Sequence, residues 1–339
     1  MENPQIECRG LWKIYGRRAD EAMQAVLSDN LSKAEVRDRY DCVLGVRNAS
    51  FNVQRGEIFC IMGLSGSGKS TLLRHVNRLI DPTSGEIHVA GRRVDTMDET
   101  ALLQLRSETI GMVFQHMALW PHRTLGQNVG FGLEVRGIGP ADRRAAAEKA
   151  LAAMDLDGWI DHYPDQLSGG MQQRVGLARA LAADPEILLM DEPFSALDPL
   201  IRRQLQDQFL KLSRHLKKTT LFITHDLDEA IRMGDHIAIM NDGEIVQIGT
   251  PEEIVTNPSD AYVAEFVKGI SRVHLVRAES LMEPLEGRAP TSKQVAPDAE
   301  LAQIIDHFMD DQSPVTVANP DGTAVGMISI KTALGALRG

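Results

Sequence analysis

The chain has 339 residues, enough for two domains, and its 43% hydrophobic and 24% charged content is that of a folded globular protein. A net charge of −11 with no dense Lys/Arg block argues against a nucleic-acid binder that works by neutralising phosphates. No apolar run approaches the roughly 20 residues that span a bilayer, and residues 1–8 have neither the basic flank nor the apolar core of a signal peptide.

In chain order, residues 5–15 read as a strand ending in Trp12-Lys-Ile-Tyr15. Tyr15 is a candidate for stacking on a base, with a surface aromatic at a strand end as the plain alternative. Residues from 17 to about 45 are rich in Ala, Glu, Asp and Leu and read as an inserted helix or helical pair, with Ser32-Lys-Ala-Glu35 as a capping box. Residues 49–53 alternate like a strand, and 57–62 form a short apolar strand in which Cys60 is a small core residue. Cys8, Cys42 and Cys60 lack metal-ligand spacing and fit a reducing compartment.

The stretch Gly63-Leu-Ser65-Gly66-Ser67-Gly68-Lys69-Ser70-Thr71 joins that strand to a helix over 72–76. A glycine-rich turn there gathers backbone N–H groups at the positive end of a helix dipole, which suits a polyphosphate. Lys69 has the reach for the β- and γ-phosphate oxygens, and the Ser70 hydroxyl suits Mg²⁺.

Residues 87–90 and the Gly91-Arg92 turn read as an antiparallel piece, and 111–114 as a strand entering Gln115. From 116 to 139 the glycines predict a loop, with Met117, Leu119, Trp120 and Phe131 as exposed contact candidates. Residues 140–154 form an alanine-rich charged helix, most simply a solvated face. Leu167-Ser168-Gly169-Gly170-Met171-Gln172 opens another helix over 173–183. Ser168 can cap it, or the glycines can leave its first N–H groups open to an anion.

The fully apolar run 187–190 suits a central parallel strand and ends in Asp191-Glu192. Carboxylates at the end of a buried strand are costly without cations nearby. Asp191 is a candidate for holding Mg²⁺ and Glu192 for orienting or deprotonating a water, the alternative being a strand that runs out into solvent. Ser195-Ala-Leu-Asp198-Pro199 turns into a helix over 200–216, and 220–224 is a buried strand ending at His225. A lone His there is often structural, yet strand carboxyl ends are where open α/β sheets place ligands.

The order of these features (phosphate loop, Gln115, L-S-G-G-M-Q, I-L-L-M-D-E, S-A-L-D, T-H-D) resembles the ATP-binding subunits of ABC transporters over about 6–269. The insert, Asn77-Arg-Leu-Ile80, Pro164-Asp-Gln-Leu-Ser-Gly-Gly-Met171, Phe194-Ser-Ala-Leu-Asp-Pro-Leu-Ile-Arg202 and His225-Asp-Leu-Asp-Glu-Ala230 resemble more narrowly the ATPase subunits of bacterial importers for quaternary ammonium compounds. Those compounds include glycine betaine, proline betaine and choline. The resemblance implies an α/β P-loop ABC-type ATPase with a RecA-like core, an antiparallel β subdomain and a helical signature subdomain at about 116–183.

It further implies ATP and Mg²⁺ as cofactors, a homodimer sandwiching two ATP, two transmembrane permease subunits and, indirectly, a solute-binding protein, with no nucleic acid. The expected place is peripheral, on the cytoplasmic face of the bacterial inner membrane. By the same resemblance Tyr15 stacks on adenine, 63–71 cradle the phosphates, and Gln115 senses metal and water and signals through 116–137. Ser168, Gly169 and Gly170 face the γ-phosphate bound by a second copy, Asp198 lies at the dimer seam, and His225 closes on the γ-phosphate. A glycine-opened helix start about 100 residues past the phosphate loop has no second nucleotide in its own chain, and two head-to-tail copies satisfy both sites. The rivals are an importer ATPase for another solute and a soluble ABC-type ATPase acting on DNA or ribosomes, which the acidic charge fits poorly.

Residues 252–269 read as helical, and 286–292 as a linker. A strand near 295, a helix over 298–310, strands near 314–317 and 324–329 and a helix over 331–337 then give a β-α-β-β-α order. That order resembles one cystathionine-β-synthase-type (CBS) motif, so the expected domains are 1–270 and a small α+β tail, 271–339. The tail carries six Lys/Arg against nine Asp/Glu, which argues against sensing anionic lipid.

Overall fold

The structure, a computed structural model, describes residues 3–115, 118–285 and 289–338. His116 and Met117 of the expected contact loop, and 286–288 of the expected linker, lie outside the described residues. The chain divides into two compact units, 1–248 and 249–339.

The first unit is built on a six-stranded sheet in the order Glu244–Gly249, His236–Asn241, Ile58–Met62, Thr219–Thr224, Ile187–Asp191, Ile110–Val113. The last five strands run parallel, so their carboxyl ends share one edge. Ile58–Met62, Ile187–Asp191 and Thr219–Thr224 are buried at every position, which is why they read as continuous apolar runs rather than alternating ones. A second, antiparallel sheet has the order Val43–Val53, Ile6–Tyr15, Ser84–Val89, Arg92–Arg93. One apolar cluster, including Ile6, Phe51, Phe59, Leu72, Leu189 and Ile223, joins both sheets to the helix Lys69–Val76.

The strand Val43–Val53 starts six residues before the predicted 49. Leu44 and Val46 point into the core, but Gly45, Arg47 and Asn48 break the alternation, and the pairing with Ile6–Tyr15 carries register shifts. Ahead of it, the insert forms two helices, Ala19–Asp29 and Lys33–Tyr40. Their apolar faces close a separate small core of Ala22, Met23, Val26, Leu31 and Val36 against Ile14 and Leu44. The expected capping box is complete: the Glu35 N–H donates to the Ser32 hydroxyl, and the Ser32 N–H donates to the Glu35 carboxylate at 2.9 Å.

Two further stretches of the first unit differ from the sequence expectation. Helix Glu99–Glu108 buries only Leu102 and Leu105, too few positions to set up a periodic signal. The expected loop 116–139 holds two short helices, Leu125–Val129 and Phe131–Val135. Gly126 is a packing position there rather than a breaker, since a Cβ would lie 2.5 Å from Ile160 Cγ1. Trp120 and Phe131 are half-buried, their ring centroids 4.2 Å apart with the Arg123 guanidinium against both. Longer helices follow at Pro140–Ala152, Gly169–Ala182 and Pro199–Leu216.

In the second unit the expected helix 252–269 is two helices, Pro251–Thr256 and Ala261–Val267. A three-stranded sheet follows, Gln294–Val295 parallel to Val315–Ala318 and that antiparallel to Ala324–Ile328. Helices Leu301–Asp310 and Ile330–Arg338 complete the β-α-β-β-α order around a core of Leu301, Ile304, Val315, Val317 and Ile328. No helix among the described residues is long and apolar enough to cross a membrane. Replacing Ser32→Ala removes half of the capping box and should cost about 1 kcal/mol. Urea unfolding checks this, and an unchanged midpoint would mean that the box does not hold the second insert helix.

Candidate functional site

The site forms where four parallel strands end side by side. Ile58–Met62 passes into residues 63–68 and the helix Lys69–Val76. At Gly63 and Gly68, φ is 152° and 103°, and a Cβ would lie 2.2 Å from the Met240 carbonyl oxygen and 2.3 Å from that of Gly45. Only glycine fits at either place, and the loop can close tightly enough to bring its N–H groups together. The Ser67 hydroxyl is buried and has no hydrogen-bond partner among the described residues. Ser65 and Gly66 are exposed at the loop tip.

Lys69 is 5% exposed. It donates to the carbonyls of Gly63 at 2.8 Å and Leu64 at 2.9 Å. Burial lowers its pKa, while the charges of Glu192 and Asp191 act in the opposite direction. The Ser70 hydroxyl donates to Asp191 Oδ1 at 2.9 Å, and Arg74, one turn further along the same helix face, donates to Oδ2 at 3.1 Å. These contacts satisfy a carboxylate that is itself only 1% exposed.

Glu192 sits at φ 48°, a region that side-chain-bearing residues rarely occupy. Its N–H donates to the Ile223 carbonyl on the next strand at 3.1 Å. One carboxylate oxygen accepts from Gln115 Nε2 and lies 3.2 Å from both that atom and His225 Nδ1. A carboxylate only accepts, so the proton of neutral His225 belongs on Nδ1. Gln115, Glu192 and His225 thus come from the ends of three different strands.

Tyr15 is 37% exposed, and its hydroxyl lies 3.2 Å from that of Thr71. Gly45 makes room for the ring, since a Cβ there would lie 2.9 Å from Tyr15 Cε2. Ser168 caps Gly169–Ala182 by accepting the Met171 N–H, and Asp198 caps Pro199–Leu216 by accepting the Ile201 N–H at 3.1 Å. Gly170 lies against Ile201, so the two helix starts are neighbours. They are largely exposed, and Ser168, Gly169, Gly170 and Asp198 make no hydrogen bond to the carboxylate cluster among the described residues.

Two further residues escaped the sequence reading. Arg74 was signalled only by its spacing of four from Ser70. Gln173 is 1% exposed, and its amide donates to the Pro193 carbonyl, tying the helix Gly169–Ala182 to the segment after Glu192. Its signal is a polar residue on the face shared with Gly176, Leu177 and Ala180.

The glycine cradle, the inward ammonium and the orphaned Ser67 hydroxyl fit a nucleotide polyphosphate. The Ser70 hydroxyl and Asp191 carboxylate are the hard oxygen donors that suit Mg²⁺ alongside phosphate oxygens. No group of three or more His, Cys, Asp and Glu that could hold a metal ion occurs among the described residues.

A family model described as ABC transporter matches residues 46–195. The glycine betaine/carnitine transport ATP-binding protein GbuA of Listeria monocytogenes is 51% identical over 82% of this chain and 70% of its own. ProV of Escherichia coli, a glycine betaine/proline betaine transport system ATP-binding protein, is 44% identical over 97% of this chain and 82% of its own. TmoW of Pelagibacter ubique, a trimethylamine N-oxide transport system ATP-binding protein, is 42% identical over 97% of this chain and 96% of its own. Among solved structures, the dimeric post-hydrolysis state of the ATP-binding cassette MJ0796 bound to ADP and Pi covers 73% of this chain and 98% of that one, at a TM-score of 0.62 and 32% identity.

Behind His225, Glu229 is buried, accepting from the Gln206 amide at 2.9 Å and from the Thr224 hydroxyl. Burial raises its pKa, with both hydrogen bonds opposing. The folded state therefore holds this proton more tightly than the unfolded one, and stability is lost as pH rises through the folded pKa. Glu229→Gln should match the wild-type protein near pH 4 and exceed it in melting temperature near neutral pH. A wild-type advantage that grows with pH would contradict this.

Proposed function

Because the chain belongs to the ABC transporter family of ATP-binding proteins, we propose that it is the ATP-hydrolysing subunit of an importer for a small quaternary ammonium solute: glycine betaine, proline betaine or choline. The observation that carries the ATP-hydrolysing part of this reading is the meeting of Gln115, Glu192 and His225 beside the Ser70–Asp191 pair, and the solute class is taken from the relatives named for glycine betaine transport. Tyr15 stacks on adenine. Gly63, Ser65, Gly66, Ser67, Gly68, Lys69 and Thr71 surround the phosphates. Ser70 and Asp191, with Gln115 at the edge, would hold Mg²⁺, which would supply neutralisation of the phosphate charge.

Glu192 takes the proton of the water that attacks the γ-phosphorus, and ADP leaves as the bond to the β-phosphate oxygen breaks. Gln115 and His225 fix the carboxylate for that step. The neighbouring helix starts at Ser168, Gly169, Gly170 and Asp198 suit a γ-phosphate held by a second copy, giving a homodimer that sandwiches two ATP. The dimeric form of the MJ0796 cassette supports this arrangement. The protein then works peripherally at the cytoplasmic face of the bacterial inner membrane, beneath two permease subunits served by a solute-binding protein. Residues 271–339 are read as a single CBS-type regulatory motif on their β-α-β-β-α order.

A second reading, trimethylamine N-oxide as the solute, is favoured by the TmoW relatives, 42% and 43% identical to this chain. The TmoW proteins match this chain nearly end to end, over 96% and 97% of their own length. ATP hydrolysis by the complex with its permease and binding protein, reconstituted in vesicles, separates the two. Stimulation by a betaine or choline is the expected result, and stimulation by trimethylamine N-oxide alone selects the second reading. Hydrolysis indifferent to all of these solutes would contradict both.

A further inference from the structure

We propose that Lys33, carried by the helical insert, is a positioning residue of the phosphate loop and sets nucleotide affinity from outside that loop. The proposal rests on the reading of 63–71 as a nucleotide cradle. Lys33 is the first residue of the helix Lys33–Tyr40, and its Nζ donates to the Gly66 carbonyl at 3.0 Å. It also lies 3.8 Å from the Asp242 carboxylate. Gly66 has φ of 79°, and a Cβ there would meet nothing within 4 Å, so the loop tip is open on that side.

The adjoining Ser67 carbonyl is held as well, by the Gly243 N–H at 3.0 Å. In a trans peptide the C=O and the following N–H point in opposite directions. Drawing the Gly66 and Ser67 carbonyls outward therefore sends the Ser67 N–H back across the loop, where it closes the turn on the Leu64 carbonyl at 3.2 Å, and turns the Gly68 N–H inward, the orientation that an anion requires. The insert is anchored for this purpose. Arg47 donates to the Leu31 carbonyl at 2.9 Å and to the Asn30 side-chain oxygen, and pairs with Glu244 at 2.9 Å. Its own N–H donates to the Gly243 carbonyl at 2.8 Å. One arginine thus ties the turn before Lys33 to the turn that holds Ser67, and the capping box fixes the helix start between them.

The test is titration of the full-length chain with MgATP and MgADP, alongside steady-state hydrolysis, for the wild type, Lys33→Met, Lys33→Arg and Lys69→Ala. Lys33→Met should weaken both nucleotides about three- to tenfold, the range for one half-exposed charged donor. KM for ATP should rise in step while kcat falls less than about twofold, at an unchanged melting temperature. Lys33→Arg, which keeps a charged donor, should recover most of the loss. Wild-type affinity in Lys33→Met would overturn the proposal, as would equal losses in both Lys33 variants with a lowered melting temperature. If the wild type and Lys69→Ala bind alike, the cradle reading itself fails and takes this proposal with it.

Discussion

The contact on which the site depends is the one between the Ser70 hydroxyl and the Asp191 carboxylate. Asp191 is nearly inaccessible to solvent, and a buried carboxylate left without partners costs several kcal/mol. Ser70 and Arg74 together remove that cost, and both come from the helix that begins at the phosphate loop. The register between that helix and the strand Ile187–Asp191 is therefore fixed by a charge that has nowhere else to go. Glu192, the next residue, inherits its place from the same constraint.

From Glu192 the connections lead outward. Gln115 opens the segment toward Leu125–Val129 and Phe131–Val135, and His225 leads into a helix whose Glu229 is buried. Gln173 reaches the carbonyl of Pro193 from the helix that Ser168 caps. One carboxylate at a left-handed backbone position is thus tied, within two residues, to three segments that leave the site in different directions. A change at the γ-phosphate that moved Glu192 would be felt along each of them.

How much of this was legible in the sequence follows from how local each signal is. The phosphate loop and the Ile187–Asp191 strand were readable because their glycines and continuous apolar runs are contiguous in the chain. The capping box at Ser32 and Glu35 needed only four residues. By contrast, Arg74 and Gln173 act through partners 117 and 20 residues away, and nothing in the local pattern names those partners. Leu125–Val129 was hidden because Gly126 looks like a breaker, although it serves to let Ile160 approach. The early start of Val43–Val53 was masked by Gly45, whose missing side chain leaves room for Tyr15. In each case a tertiary contact decided what local propensity could not.

The central claim is that Glu192 acts on a nucleotide shared between two copies of the chain. Sedimentation of Glu192→Gln with MgATP, combined with analysis of the bound nucleotide, tests it most directly. The account expects a stable dimer carrying two intact ATP, with turnover at least about a hundredfold below the wild type. A variant that stays monomeric with ATP bound, or that hydrolyses ATP at the wild-type rate, would contradict it.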